Sequence, residues 1–456
     1  MNTIKVHFLG ASGTVTGSKF YLETPELNIM VDCGMFQGLK ELRVLNWEPL
    51  PIDASKIDVV LLTHGHLDHT GYLPRLVKEG FNSDIIGTAP TLAITKIILL
   101  DSAKIHEEQA EQANKEGYSK HEKALPFYTL KEAEKTIKLF QFTEKEEWII
   151  LSKNIRFKYK CNGHIIGSTF ITLEIFGKIF VFSGDIGRQN DLLLAPPERP
   201  KKADYLFIES TYGGKLHPKE KVADILASLI HKTINEKGNL IIPSFAVERM
   251  QSLMYQLWLL FKSNQIPNIP IFIDSPMGNN VLSVFEQFPD WHKLTKKEYH
   301  AMCNHFTIIS SYADTWKTID DPRPKIVIAG SGMVTGGRVL TYLKQLIDVP
   351  TTNILIVGYQ AEGTRGRQLL EGAHELKIFE KYYPVKAKIE HLESLSAHAD
   401  QRELLQWLKE IKNIPEGVFL IHGEPSSLDT FKVKIRDTYG WQGHIPKLNE
   451  IQELII

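Results

Sequence analysis

Apolar and polar positions alternate with a period of two from the start of the chain. Ile4, Val6 and Phe8 share one face of an extended segment, and similar runs follow at KFYLET (19–24), LNIMVD (27–32), IDVVLLTH (57–64) and WIILS (148–152). IRFKYK (155–160), TFITLEIFG (169–177) and KIFVFSGD (178–185) continue the series, with a hairpin expected at the FGK turn. Helical periodicity over 90–115 and 130–141 interrupts these strands.

From about residue 204 the pattern changes. ADYLFIES, NLIIPSF, IPIFIDS, PKIVIAG and TNILIVG are short apolar runs, most of them separated by amphipathic stretches such as VADILASLIHKTI and MQSLMYQLWLLF. That alternation predicts a parallel βα layer. After about 385 short strands return, with two helices, ELLQWLKEIK and SSLDTFKVKIRD, around GVFLIHGE. No Pro/Gly/Ser-rich linker marks the joins, so the middle unit reads as an insertion: residues 1–208 and 386–456 form one domain and 209–385 the other.

Composition narrows the class. At 456 residues, 43% hydrophobic and 23% charged, the chain is an ordinary folded protein and not a disordered or fibrous one. A formal charge of -1 means that any polyanion-binding surface must be local. Cys33, Cys161 and Cys303 are too few and too scattered for a disulfide framework, which predicts a reducing, cytoplasmic location. No apolar run reaches the roughly 20 residues of a membrane span, and no signal peptide is expected.

The chemistry concentrates in LLTHGHLDHTG (61–71), where His64, His66, Asp68 and His69 fall within six positions after an apolar strand. Imidazole nitrogens and carboxylate oxygens at this spacing suit two neighbouring ions, with an open position for water. GHIIGS (163–168), FSGDIG (182–187) and IHGEP (421–425) add single candidates, His164, Asp185 and His422, each beside a strand.

HGHLDH, then His164, Asp185 and a late His422 in that order, resembles the metallo-β-lactamase superfamily. The resemblance implies an α/β fold, an αββα sandwich with a dinuclear zinc site at its edge. His64, His66 and His164 would hold one zinc, Asp68, His69 and His422 the other, and Asp185 would bridge them. Asp32, in VDCG, matches a carboxylate lying behind the ligands and orienting them. Position 65 is Gly where the di-iron redox branch carries a carboxylate, which points to hydrolysis.

IESTYGG (208–214), SAHAD (396–400) and IHGEP resemble three motifs of the β-CASP branch, RNA-processing nucleases that carry an inserted parallel βα domain. PSFAVERMQ (243–251), GSGMVTGGR (330–338) and GYQAEGTRGR (358–367) extend the match over essentially the whole chain. His at the last motif places the chain with the RNA-acting members, similar to the nuclease subunit of the mRNA 3′-end cleavage machinery. The resemblance implies a zinc-dependent ribonuclease with two Zn²⁺ per chain that cuts single-stranded RNA by activated water, endonucleolytically, with an added exonuclease activity and a homodimer both compatible.

The motifs make chemical sense in those terms. Phosphodiester hydrolysis needs an activated water, neutralised phosphoryl oxygens and a proton for the leaving oxygen. His398 is the expected proton donor, with Glu209 favouring its imidazolium, and Asp68 or Asp185 the group that orients or deprotonates the water. A site flanked by a large insertion suits one strand better than a duplex, and water attack predicts 5′-phosphate and 3′-hydroxyl ends.

Candidate RNA contacts are Ser331, Gly332 and Ser396, with Arg249, Arg338, Arg365 and Arg367 as a local basic groove. AGSGMVTGGR could cradle a phosphate between a strand and a helix, though no Walker lysine follows it. Tyr212 and Tyr359 could stack a base or pack in a core. LGASGTVTGS (9–18) runs into a strand and not a helix, so it reads as a turn near the metal rim and not a dinucleotide loop. Two other classes use overlapping features. A small-molecule ester or thioester hydrolase would keep the metal ligands without needing Glu209 and His398, and a non-catalytic RNA-binding scaffold would be expected to lose ligands.

Overall fold

The computed structural model describes residues 2–116 and 122–456. The chain divides into two compact units, one comprising the chain through Asp191, Ala195–Leu216 and His398–Ile456, the other Leu192–Leu194 and His217–Ala397.

In the first unit the described strands form two seven-stranded sheets. One runs in the order Ile451–Ile455, Thr3–Phe8, Lys19–Glu23, Asn28–Cys33, Val59–Leu61, Asp84–Gly87 and Phe140–Phe142. The other runs Gly443–His444, Gly417–Ile421, Tyr205–Glu209, Lys178–Phe182, Thr169–Ile175, Ile155–Cys161 and Ile149–Ser152.

Period-two alternation decides what each face covers. Ile4, Val6, Phe8, Phe20, Leu22, Ile29 and Val31 turn inward and meet Phe157, Phe180, Phe182, Phe207 and Phe419 of the other sheet in one core. Phe182, Phe207 and Phe419 stack in a row, at ring separations of 4.1 and 4.8 Å. The intervening residues Tyr21, Met30, Val60 and Leu62 face outward, in a cluster with Leu73, Leu76 and Leu99 of the covering helices. On the far side Leu206, Ile208 and Leu420 pack with Leu404, Trp407 and Phe431 of helices Gln401–Leu408 and Pro425–Tyr439. Helix, sheet, sheet, helix is the expected sandwich.

The second unit is built on a six-stranded parallel sheet, ordered Thr307–Ile308, Ile271–Asp274, Lys325–Ala329, Asn239–Pro243, Thr352–Val357 and Lys388–Leu392. A hairpin, Glu375–Ile378 with Lys381–Pro384, accompanies it.

Both joins fall later in the chain than the expected boundaries. Tyr205–Glu209 pairs in parallel with Phe180–Phe182 and Gly417–Ile421, so the whole strand belongs to the sandwich, including Glu209, which the expected boundary gives to the insertion. Lys388–Leu392 extends the insertion's sheet, and the return to the sandwich comes at His398 instead of 386. The insertion is thus the crossover between two adjacent parallel strands. No helix among the described residues is long and apolar enough to cross a membrane.

Candidate metal centre

The carboxyl ends of parallel strands lie along one edge of a sheet, and the first unit uses that edge twice. Ile155–Cys161, Lys178–Phe182, Tyr205–Glu209 and Gly417–Ile421 run in one direction and deliver His164, Asp185, Glu209 and His422. In the facing sheet Asn28–Cys33 and Val59–Leu61, also parallel, deliver Asp32, His64 and His66. The helical turn Leu67–Thr70 then carries Asp68 and His69.

These side chains form two groups of four that share one carboxylate: His64, His66, His164 and Asp185, and Asp68, His69, His422 and Asp185. Within each group the ligand atoms all lie within 4.8 Å of one another. In the first, His66 Nδ1 is 3.2 Å from His64 Nε2 and 3.3 Å from His164 Nε2, and Asp185 Oδ2 is 3.5 Å from both Nε2 atoms. In the second, His69 Nε2 lies 3.3 Å from His422 Nε2 and from Asp185 Oδ1, and His422 Nε2 lies 3.3 Å from Asp68 Oδ2. Bonds of ~2.0–2.1 Å around a tetrahedral ion give edges of about 3.4 Å, so the spacings suit zinc. Asp185 Oδ1 is buried with, among the described residues, only the imidazole nitrogens of His69 and His422 facing it, at 3.3 and 3.6 Å, the kind of oxygen that a cation satisfies.

Neighbouring groups set the histidine tautomers. The Thr63 hydroxyl donates to Asp32 Oδ2 at 2.7 Å, so toward His64 Nδ1, 3.1 Å away, it acts as acceptor and leaves His64 Nε2 with its lone pair. His69 Nδ1 donates to the same Asp32 oxygen at 2.8 Å, freeing its Nε2. Thr211 Oγ1 donates to the His422 carbonyl at 3.3 Å and accepts from His422 Nδ1 at 3.1 Å. Asp32 and His422 both sit at positive φ, 56° and 49°, a backbone strain of about 1–3 kcal/mol each that such sites retain for placement.

Electrostatics separates the two groups. Burial pulls His64 to about 3 and His66 to about 4, and His164 well below its usual value, so all three are neutral and ready to ligate at pH 7. His69 goes the other way: burial works against its charge, but Asp185, Asp32 and Asp68 raise it well above the ordinary value. Asp68 and Asp185 are held below the carboxylate range despite burial, by the histidines around them.

A third pair adjoins them. His398 Nδ1 lies 3.3 Å from Glu209 Oε1, and its ring sits 4.4 Å from that of His164. Desolvation opposes the imidazolium, yet Glu209 together with Asp185 and Asp68 raises the His398 pKa. Glu209 is fully buried and fixed by the Ile186 and Thr211 amides at 2.6 and 3.2 Å. Asp400 caps helix Gln401–Leu408, accepting from the Glu403 amide, and the Ala399 amide bonds the Ile186 carbonyl at 2.7 Å, which anchors His398–Asp400 beside the candidate metal ligands.

The glycine-rich loop at 9–18 does border the centre: the Ala11 carbonyl accepts from the His422 amide at 2.7 Å. Any side chain at Gly65 would meet Ile94 Cγ2 at 2.6 Å, so the carboxylate of the redox branch has no room here.

The insertion residues are occupied locally. Arg338 bonds Thr315 Oγ1 at 2.8 Å and lies over the Tyr312 ring, and Arg365 bonds the Lys377 carbonyl at 2.6 Å. Arg367 pairs with Glu371 and stays half exposed, whereas Arg249 is buried against Gly358. Ser331 bonds Thr335, Gly332 packs on the Phe245 ring, and the Ser396 amide bonds the Glu393 carbonyl. Tyr212 is buried, 6.2 Å from the His398 ring, and so is in the core; Tyr359 is half-buried.

Residues 13–218 match the metallo-beta-lactamase superfamily, 250–369 the Beta-Casp domain, and 382–446 the Zn-dependent metallo-hydrolase RNA specificity domain. Ribonuclease TTHA0252 of Thermus thermophilus is 33% identical over 92% of this chain and 93% of its own length. An RNase J-like protein of Methanocaldococcus jannaschii is 30% identical over 95% of this chain and 96% of its own length. Transcription termination factor FttA of the same organism is 29% identical over 97% of this chain and 70% of its own length. The His/Asp cluster is a metal-binding site, and the chain belongs to the β-CASP family of RNA-processing nucleases within the metallo-β-lactamase superfamily.

Proposed function

We propose that this protein is a zinc-dependent ribonuclease, carrying two zinc ions per chain, that hydrolyses internal phosphodiester bonds of single-stranded RNA with water as nucleophile. The observation that carries the reading is the shared Asp185, with one oxygen in each four-ligand group and the His398–Glu209 pair beside them. His64, His66 and His164 would hold one ion, Asp68, His69 and His422 the other, with Asp185 between them. Zinc bound there supplies an acidified water and Lewis acidity toward the phosphoryl oxygens.

The chain's own groups divide the remaining work. Both oxygens of Asp185 face ligand histidines and its side chain is 2% exposed, whereas Asp68 is 17% exposed; Asp68 is therefore the better placed to orient the attacking water and accept its proton. His398, charged through Glu209, donates the proton that the departing 3′-oxygen requires. The ribonuclease names of two full-length relatives and the RNA-specificity match support the substrate. The three unpaired cysteines support a cytoplasmic location. A small-molecule ester hydrolase leaves the buried Glu209–His398 pair without a task, and a binding scaffold leaves a complete ligand set without one.

The test is cleavage of an end-labelled single-stranded RNA and of its duplex by the zinc-loaded protein. Internal cuts in the single strand, lost in His398→Ala, support the proposal. Thioester hydrolysis that persists in His398→Ala, with RNA left intact by the parent protein, would overturn it.

A further inference from the structure

A lysine buried beside the metal loop has no part in the chemistry above. Lys19 opens the strand Lys19–Glu23 and is 1% exposed. Its ammonium donates to the Gly34 carbonyl at 2.7 Å and lies 4.4 Å from the ring centre of Phe36 and 5.0 Å from that of Tyr72. Enclosing a cation with one carbonyl and two ring faces is costly, and an apolar side chain of the same length would fill the space without that cost. The charge therefore points to what it holds.

It holds Gly34. A Cβ at Gly34 would lie 1.6 Å from the Asp68 carbonyl oxygen and 2.6 Å from the His69 amide nitrogen, so the helical turn bearing Asp68 and His69 rests directly on this backbone. Three hydrogen bonds tie the same surfaces: Ser18 N–H to the Asp68 carbonyl at 2.8 Å, Met35 N–H to that of Leu67 at 3.1 Å, and Gly34 N–H to that of Ser18 at 2.9 Å. Two residues earlier, Asp32 holds His69 Nδ1. The Lys19–Gly34 contact and these three backbone bonds do not involve the imidazoles of His64, His66 or His164.

We propose that Lys19 is a positioning residue: by fixing the Gly34 carbonyl it sets the place of Asp68 and His69, and so the strength of one metal-binding group independently of the other. The inference rests on the two-ion reading.

The test is stepwise removal of zinc by a competing chelator from the purified protein and from Lys19→Met. In the parent two classes of zinc are expected. Lys19→Met should weaken one of them by about 10- to 100-fold, as loss of an orienting contact behind a metal ligand typically does, with the other class unchanged. An equal shift of both classes, or of neither, overturns the proposal.

A single class in the parent would refute the two-ion reading instead, and the metal-free protein then decides on Lys19. There, Thr70 and Gly71 N–H, bonded to the His66 and Leu67 carbonyls, should exchange with solvent faster in Lys19→Met than in the parent. Unchanged exchange contradicts the role. Should Lys19→Met not fold, Phe36→Leu, which removes one ring face and keeps the lysine, must move the same readouts in the same direction by less.

Discussion

Glu209 places Oε1 3.3 Å from Nδ1 of His398 while burying its own side chain completely at the end of a sandwich strand. A buried carboxylate fixed by two backbone amides is an inflexible counter-charge, and it favours the imidazolium of His398 beside the candidate metal ligands.

His398→Ala should therefore retain its full zinc content while RNA cleavage falls by about 10²- to 10⁴-fold, the range of general acid–base catalysis. Glu209→Gln should lower the same step by a smaller factor. Elemental analysis and single-turnover cleavage check both, and zinc loss in His398→Ala would reassign that histidine.

Asp185 serves both groups and Asp68 one. Asp185→Asn should deplete both ions and Asp68→Asn mainly one, read as zinc per chain after gel filtration. A parent protein saturated at a single ion would contradict the paired arrangement.

Acid should separate the ions. With His64 and His66 pulled to about 3 and 4 by burial, no proton competes for their group near neutrality. His69 is raised by Asp185, Asp32 and Asp68 against its burial, so in the metal-free protein it carries a proton that binding must displace. Affinity at that group should fall about tenfold per pH unit between pH 7 and 6, with little change at the other. Zinc titrations at the two pH values provide the measurement.

Asp32 is predicted to matter through His69. Asp32→Ala removes the acceptor that keeps the Nδ1 proton in place and also the partner of Thr63, and should weaken zinc by about 10- to 100-fold. A metal affinity unchanged from the parent would show that the tautomer is set elsewhere.

Much of this centre is legible in the sequence because its candidate ligands come in patterns. HGHLDH packs four donors into six positions, and the order of His164, Asp185 and His422 after it carries the family likeness. Thr63 and Thr211 are not legible, since a lone threonine beside a strand end has no pattern, although each fixes the tautomer of a candidate ligand. The Asp of SAHAD was legible as a motif but not as a helix cap. The expected boundary at 208/209 cuts through the strand Tyr205–Glu209, because an apolar five-residue run reads the same in either sheet, and only pairing with Gly417–Ile421 shows that Glu209 stays with the sandwich. The arginines were legible as cations, but not the acids and carbonyls, such as Glu371 and that of Lys377, that engage them.

The most direct test of the central claim is RNA cleavage by the zinc-loaded protein in ¹⁸O-enriched water, with the products analysed by mass spectrometry. Attack by water at phosphorus predicts 5′-phosphate ends carrying one solvent oxygen, opposite 3′-hydroxyl ends, and predicts that a 2′-deoxy linkage at the mapped cut site is still cleaved. Unlabelled 2′,3′-cyclic phosphate ends, with complete resistance of the deoxy linkage, would contradict it.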